Sequence, residues 1–499
     1  AYNLAQPLFC ALFASVLWSL GAALGKSSKV GLFVVFLVAL GGHFEPLRQI
    51  AQSGQIWPLD WWKTSRVIEN TINEYPAFTL LVGDLHAHFY ALSLAVTHFC
   101  LCLGLLKADS ARLRSVLLLL GGVFVGLFAL TNTWDAPLYG LLWLGCALWS
   151  RRSHPWTAGN LQALVGAMVL APLVALPYFL RFKSQVSGVA FDFWVPDLAS
   201  FALLWGSWWM LGFWALLMPS GEEEPSPEAI FRGFLMAIGV VALLFPFFFY
   251  LRGYFGDGDF RHQDTVFKFG LQAWLLLGIG IAAEAGFRFR HWWKSAIWPL
   301  KFASATTTLA FFAVVSLAPL CVAWARAVGS AARDAQGNVI LSLNAARFLG
   351  DEELAGIEWL RRNAASGDSV VEAVATDPSG QPIGDYDASS GRVAAFSGVP
   401  SVLGWPQHVW MWGASWDDIN RRAALVKGIY RGSTPQARLK ALRQSGAIWI
   451  FTGAREWGQY GPALPFEIGT NGISAARRWG DSPQNPPQIL RFEHSTGSN

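Results

Sequence analysis

The sequence predicts a polytopic α-helical membrane protein followed by a soluble α/β domain, and three observations predict it. Of the 499 residues, 53% are hydrophobic and only 14% are charged, against about 25% charge in an ordinary soluble domain; the mean hydropathy is +0.36. The apolar residues arrive in blocks of about twenty, long enough to cross a bilayer core as helices. After Ala325 the composition changes to interspersed charge, Gly, Ser and Pro. These features exclude a soluble globular enzyme. The net charge of +4 does not point to nucleic acid, because the basic residues lie in short loops between apolar blocks and not in a patch interleaved with aromatics. Cys10, Cys100, Cys102, Cys146 and Cys321 all fall inside apolar segments without a CxxC, which argues against a disulfide framework or a zinc ribbon.

About ten spans are predicted in order, at 4–24, 30–42, 86–106, 114–131, 136–150, 160–180, 198–218, 230–251, 267–287 and 303–325. The second is short for a full crossing and reads as re-entrant or tilted. Lys26 and Lys29, then Lys107, Arg112 and Arg114, then Arg151 and Arg152, then Arg288, Arg290, Lys294 and Lys301 occupy alternate loops, which positive-inside ordering makes cytoplasmic. Residues 43–85, the Asn132–Pro137 turn, 181–197, 252–266 and everything after about 327 then lie outside. This gives a transmembrane domain at 1–326 and an extracytoplasmic domain at 327–499, with enough chain for one independent core. In the latter, Asp351 to Asn363 reads as a helix with Leu354, Ile357 and Leu360 on one face. Strands are predicted at 369–374, 392–396, 399–403, 447–452 and 488–492, helices at 416–430 and 434–444, and a loosely structured stretch from Pro462. Ala1 is no initiator methionine and no basic segment precedes the first apolar run, so the chain is expected to begin inside a longer protein or after a removed targeting region.

The polar residues with chemical potential concentrate in the segments placed outside. The first holds Trp61, Trp62, Arg66 and Glu74, and ends in Gly83-Asp84-Leu85-His86-Ala87-His88 as a membrane helix begins. An Asp and two His so close together can bind a divalent metal or form an acid/base set, or they can simply cap the helix and hydrogen-bond at the interface. The tryptophans fit an interfacial belt or a surface for stacking sugar rings. Asn132 and Asp135 sit in a tight turn between two spans, where both readings, cap or site, stay open. Residues 252–268 carry Arg261, Asp264 and Lys268, a mixed-charge loop able to hold phosphate. Farther on, Arg392, Trp405 and His408 offer an anion contact, an aromatic plane and a titratable group.

Together these segments resemble the uncharacterised membrane-protein family DUF2298, also called the YYY (Chlor_Arch_YYY) family of archaea, Chloroflexi and other bacteria. The stretches that carry the resemblance are Trp61-Trp62 with Ser65-Arg66-Val67-Ile68, Ile72-Asn73-Glu74-Tyr75-Pro76, Gly83 to His88, Asn132-Thr133-Trp134-Asp135, Val266-Phe267-Lys268-Phe269 with Gln272-Ala273-Trp274, Gly391-Arg392, Gly404-Trp405-Pro406-Gln407-His408, and Glu456 with Tyr460. The resemblance implies an architecture similar to the GT-C class of glycosyltransferases in a prokaryotic cell membrane, with the C-terminal domain extracytoplasmic. It also implies transfer of a sugar from a polyprenyl-phosphate-linked donor to an unknown acceptor outside the cytoplasm. The tyrosine triplet that names the family is absent, so the N-terminal part of the family, with its acidic catalytic loop, is expected to be missing. An acidic residue and an arginine expected after His408 are replaced by Val409 to Gly413. On this reading Asp84, His86, His88 and Glu74 are catalytic, with Asp84, His86 and His88 as ligands of a divalent cation, Mg or Mn. Trp61, Trp62, Arg66, Asn132, Asp135, Arg261, Asp264, Lys268, Arg392, Trp405 and His408 bind substrate. The rival from another class is a transporter or flippase of a polar lipid, which would place ionisable residues and paired broken helices within the membrane.

Overall fold

The computed structural model describes residues 2–83, 86–152, 155–182, 184, 186–220, 222, 224–253, 258–329, 349–377, 379–385, 387, 389–461, 466–478 and 488–493. Its contacts divide the chain into two units, 1–182 with 186–331 and 183–185 with 332–499.

The first unit is helical. Its helices are α1 (Tyr2–Leu24), α2 (Ser28–Val35, continued by a π turn at Phe36–Leu40), α3 (Glu45–Ser53), α4 (Pro76–Val82), α5 (Ala87–Lys107) and α6 (Ala111–Thr131). They are followed by α7 (Asp135–Ser150), α8 (Ala158–Phe179), α9 (Leu198–Leu216), α10 (Pro227–Phe248), α11 (Gln263–Ser295) and α12 (Trp298–Gly329). Among the described residues eight helices are long and apolar enough to cross a membrane, or up to nine if the bent pair from Ser28 to Ser53 counts as one span. That pair bends by 52°, where the short second run was expected to be re-entrant or tilted. The break docks by backbone hydrogen bonds, Gly42 N to Val315 O at 2.8 Å and Phe44 N to Leu203 O at 2.9 Å. The predicted span at 136–150 forms α7, whose 16 residues are short for a crossing.

α11 is the hub of this unit, packed against α1, α2, α9 and α10. α6 and α8 make the closest helix pair, and the sequence explains it. Gly122 and Gly126 form a small-xxx-small face on α6; a Cβ would stand 2.5 Å from Ala167 O at the first and 2.6 Å from Ala171 O at the second. Close backbone approach of this kind is how helices associate where lipid removes the hydrophobic drive. Two short strands, β1 (Gly188–Phe191) and β2 (Phe249–Arg252), pair antiparallel beside the start of α11.

The second unit contains α13 (Asp351–Asn363), β3 (Val370–Val371), α14 (Arg392–Ser397), α15 (Pro406–Met411), α16 (Trp416–Arg431), α17 (Pro435–Ser445), β4 (Trp449–Thr452), α18 (Ala454–Tyr460), β5 (Ile473–Arg478) and β6 (Gln488–Phe492). The sheet order is β3-β4-β6-β5, with β3 parallel to β4 and the other pairs antiparallel. Ile450 and Leu490 face each other in the β4–β6 register and are fully buried. Residues 392–396, predicted as a strand, form α14 instead. The Glu372 carboxylate accepts from Val393 N at 2.9 Å and Ala394 N at 3.0 Å, satisfying first-turn amides from a position distant in sequence. Of the stretch predicted as strand at 399–403, only Ser401 makes a bridge, to Val370. The region from Pro462, expected to be loose, contributes two strands. β5 reads poorly in sequence because it is an edge strand ending in Arg477 and Arg478.

Candidate functional site

In the first unit one end of the helix bundle gathers the starts of α5, α7 and α11 with the loop before α4. Ile68 N donates to Asn73 Oδ1 at 2.8 Å and Asn73 N to Ser65 O at 2.9 Å, which closes the turn preceding Glu74. Tyr75 is fully buried against Trp274 of α11, centroids 5.6 Å apart, and against Phe78. Pro76 starts α4, where a missing N–H costs nothing. Glu74 is thereby held against α5, and its Oε2 lies 3.3 Å from His88 Nε2. Thr79 Oγ1 donates to the same oxygen at 3.1 Å. Burial acts to raise the Glu74 pKa, but hydrogen bonds from His88 and Thr79, with the charge of Arg66, outweigh it and hold the carboxyl below the usual range.

Beyond His88 lies a cavity of about 10 Å³ lined by His88, Asn132, Asp135, Tyr139, Lys268 and Gln272 among others, room for about one water. Asp135, the first residue of α7, is buried and accepts from Asn132 Nδ2 at 2.9 Å and from Gln272 Nε2. Lys268 sits one turn before Gln272 on α11. Its Nζ lies over the Phe267 ring at 4.9 Å, and among the described residues it has no hydrogen-bond partner. Asp264, one turn earlier, lies within electrostatic reach of the same lysine. On the other side of Glu74 a second cavity, about 30 Å³, is lined by Asn73, Trp194, Trp205 and Trp274 among others.

The expected residues therefore separate. Glu74, His88, Asn132, Asp135 and Lys268 come together, with Arg66 and Asp264 close by. His86 is exposed and stacks on His88 with centroids 5.4 Å apart and planes 21° from parallel. Asp84 lies outside the described residues. Among the described residues no three His, Cys, Asp or Glu side chains gather to hold a metal. Trp61 stacks on Phe78 at 5.9 Å within the packed loop. Trp62 is half exposed, with the Arg66 guanidinium 4.4 Å above its ring.

Arg261 is drawn to Asp192, at 2.8 Å, and His262 Nε2 meets the same oxygen at 2.8 Å. Those two hydrogen bonds hold the Asp192 carboxyl below its ordinary range. In the second unit Arg392 is buried, and its guanidinium faces Glu353 at 2.6 Å and Glu456 at 2.9 Å, with Glu372 at 3.7 Å. That ion cluster replaces the phosphate contact expected of it. His408 Nδ1 meets Asp385 Oδ1 at 2.7 Å, while Trp405 donates Nε1–H to Ser390 O at 2.9 Å and stands edge-on to the His408 ring.

Fold and site define a multi-pass helical membrane protein with an ionisable cluster at one end of its bundle. Residues 1–226 match the model of the family described as "Uncharacterized membrane protein (DUF2298)", so the resemblance carried by the motifs from Trp61 to Asp135 stands over those residues. Comparison with the curated proteins gives no match. Among solved structures the chain is similar to a crystal structure of the Archaeoglobus fulgidus oligosaccharyltransferase tethered with an acceptor peptide containing the NVT sequon. The identity is 10% and the TM-score 0.35, over 90% of this chain and 57% of that one. The chain thus spans little more than half the length of that protein.

Proposed function

We propose that this membrane protein transfers a sugar from a polyprenyl-phosphate-linked donor to an acceptor on the extracytoplasmic face. The observation that carries the reading is the Glu74–His88 pair beside a lysine without a hydrogen-bond partner among the described residues. With Nε2–H of His88 directed at Glu74, Nδ1 is left to take the acceptor's hydroxyl proton, and the Glu74 charge stabilises the imidazolium. The acceptor oxygen forms its bond to the anomeric carbon as the bond from that carbon to the donor phosphate breaks. The phosphate leaves with the bonding electrons, and Lys268 offsets its charge. Asp135, Asn132 and Gln272 fix the polar wall beside the lysine. The Mg or Mn ion expected at Asp84, His86 and His88 stays a proposal of its own, tested by chelation of the purified protein. In this reading the second unit lies outside the cytoplasm and the architecture is GT-C-like.

The test is reconstitution of the full-length protein in liposomes with polyprenyl-phosphate sugars and a panel of hydroxyl and amide acceptors. Transfer in the wild type that is lost in Glu74→Gln and Lys268→Met supports the reading. Movement of the lipid-linked sugar across the bilayer without transfer would replace it with the flippase alternative.

A further inference from the structure

A cavity of about 610 Å³ lies among α9, α10 and α11, well within the range of small-molecule sites. α9 and α10 each pack on α11, and they meet one another at Phe201 and Phe247, ring centroids 5.4 Å apart. The floor is therefore the α11 stripe Leu277, Ile281, Glu284 and Arg288, whose three- and four-residue spacing keeps them on one face. The walls are thinned by glycine. A Cβ at Gly233 would meet nothing within 4 Å, and one at Gly212 only the Ile281 side chain at 3.8 Å. Unlike Gly122 and Gly126, these two glycines leave space between helices. Trp209, Leu216 and Val240 beside the groove are exposed, as lipid-facing residues are.

The apolar groove ends in charge of both signs. Arg232 is engaged, with Glu284 at 2.5 Å, Leu24 O at 2.6 Å and Glu222 at 3.4 Å. Arg288 donates from Nε to Glu284 and from Nη1 to Met218 O at 2.9 Å. Among the described residues its Nη2 has no partner, and neither has the exposed Glu224 carboxylate. Both residues line the groove.

We propose that this groove holds one hydrocarbon chain of a membrane phospholipid with an amine-bearing zwitterionic head, its phosphate on Arg288 and its ammonium on Glu224. Charge complementarity selects the head: a guanidinium N–H and a carboxylate at one mouth match a phosphate joined to an amine, whereas an anionic head without an amine would face Glu224 unpaired. The Lys/Arg-rich loops set this mouth at headgroup level. The bound chain fills the space between α9 and α10 beside Gly212 and Gly233, where the two helices otherwise meet through α11 and the Phe201–Phe247 contact.

The experiment uses the full chain purified in mild detergent, exchanged exhaustively, with phosphatidylethanolamine, phosphatidylcholine and phosphatidylglycerol offered in equal amounts in mixed micelles. Mass spectrometry then counts retained lipid. Expected are about one phosphatidylethanolamine per wild-type chain, and a loss of about tenfold in Gly233→Leu, whose side chain enters the groove, as for any ligand whose site is filled. Glu224→Lys should invert the preference toward phosphatidylglycerol, and because that residue is exposed it tests the head assignment even if Gly233→Leu fails to fold. Equal retention in the wild type and Gly233→Leu would overturn the proposal by showing ordinary annular lipid. Recovery of a polyprenyl-phosphate species, or unchanged head preference in Glu224→Lys, would overturn it as well.

Discussion

Lys268 lines the small cavity directly from a turn of the longest helix, whereas Glu74 acts on it through His88 from a loop pinned by Tyr75. Replacing Glu74 with Gln keeps size and one hydrogen-bond acceptor but removes the charge. Transfer should fall by about 10²-fold or more, the scale of losing a positioned acid–base partner, while the melting temperature barely moves; unchanged turnover would remove Glu74 from the chemistry. In the second unit a single guanidinium faces three carboxylates. Arg392 is closest to Glu353 and Glu456, which leaves Glu372 as the surplus acid. Burial, with the charge of Glu456 adding to it, raises the Glu372 pKa from 4.5 to about 7. A carboxyl raised on folding is more protonated folded than unfolded, so stability should decline as pH rises from 4.5 to about 7, by up to about 1.4 kcal/mol per pH unit. Hydrogen exchange at the Val393 and Ala394 amides, followed over that window, reads the effect, and Glu372→Gln should flatten it. Arg392→Met should cost about 3–5 kcal/mol by stranding buried carboxylates, measurable as a lowered melting temperature. Polar residues beside the ends of apolar runs, such as Glu74, His88, Asp135 and Lys268, were legible in the sequence because charge next to a membrane span needs a reason. Their partners were less so: Asp192 lies 70 residues from His262, Asp385 lies 23 from His408 and Gln272 lies 137 from Asp135. No local pattern announces such pairs.

At the level of elements, the apolar runs foretold the helices because the bilayer imposes one length and one polarity on everything that crosses it. The predicted runs 114–131 and 160–180 became α6 and α8 with little change at their ends. What the runs did not reveal was which helices touch. Gly122 and Gly126 are the signal for α6 with α8, visible only once the facing alanines are known. Gly126→Leu should destabilise the first unit by about 1–3 kcal/mol through overpacking, seen as a lower melting temperature in detergent. Gly233→Ala, where a Cβ meets open space, should leave melting nearly unchanged. In the second unit α13, α16 and α17 followed their apolar periodicity closely, whereas α14 did not, since its first amides are satisfied by Glu372 from a neighbouring segment.

For the molecule as a whole, the Lys/Arg pattern predicts which side of the membrane each loop takes, and chemical labelling tests it. In a background without native cysteines, Gln55→Cys and Asn363→Cys should react with a membrane-impermeant thiol reagent added to intact cells, and Arg152→Cys should react only after permeabilisation. Labelling of Arg152→Cys alone would reverse the orientation and move the Glu74 cluster to the other face. The two longest helices also set a dimension. α11 has 33 residues and α12 has 32, so each runs about 50 Å at 1.5 Å per residue, against a hydrocarbon core of about 30 Å. Part of each helix must therefore tilt or project from the bilayer. The far end of α11 carries Arg288, Arg290, Trp292, Trp293 and Lys294, the residue types that anchor at an interface. How much of that end stands in water is then set by the thickness of the surrounding membrane. The protein carries a built-in depth gauge: thin bilayers lift its tryptophans clear and thick ones draw them in.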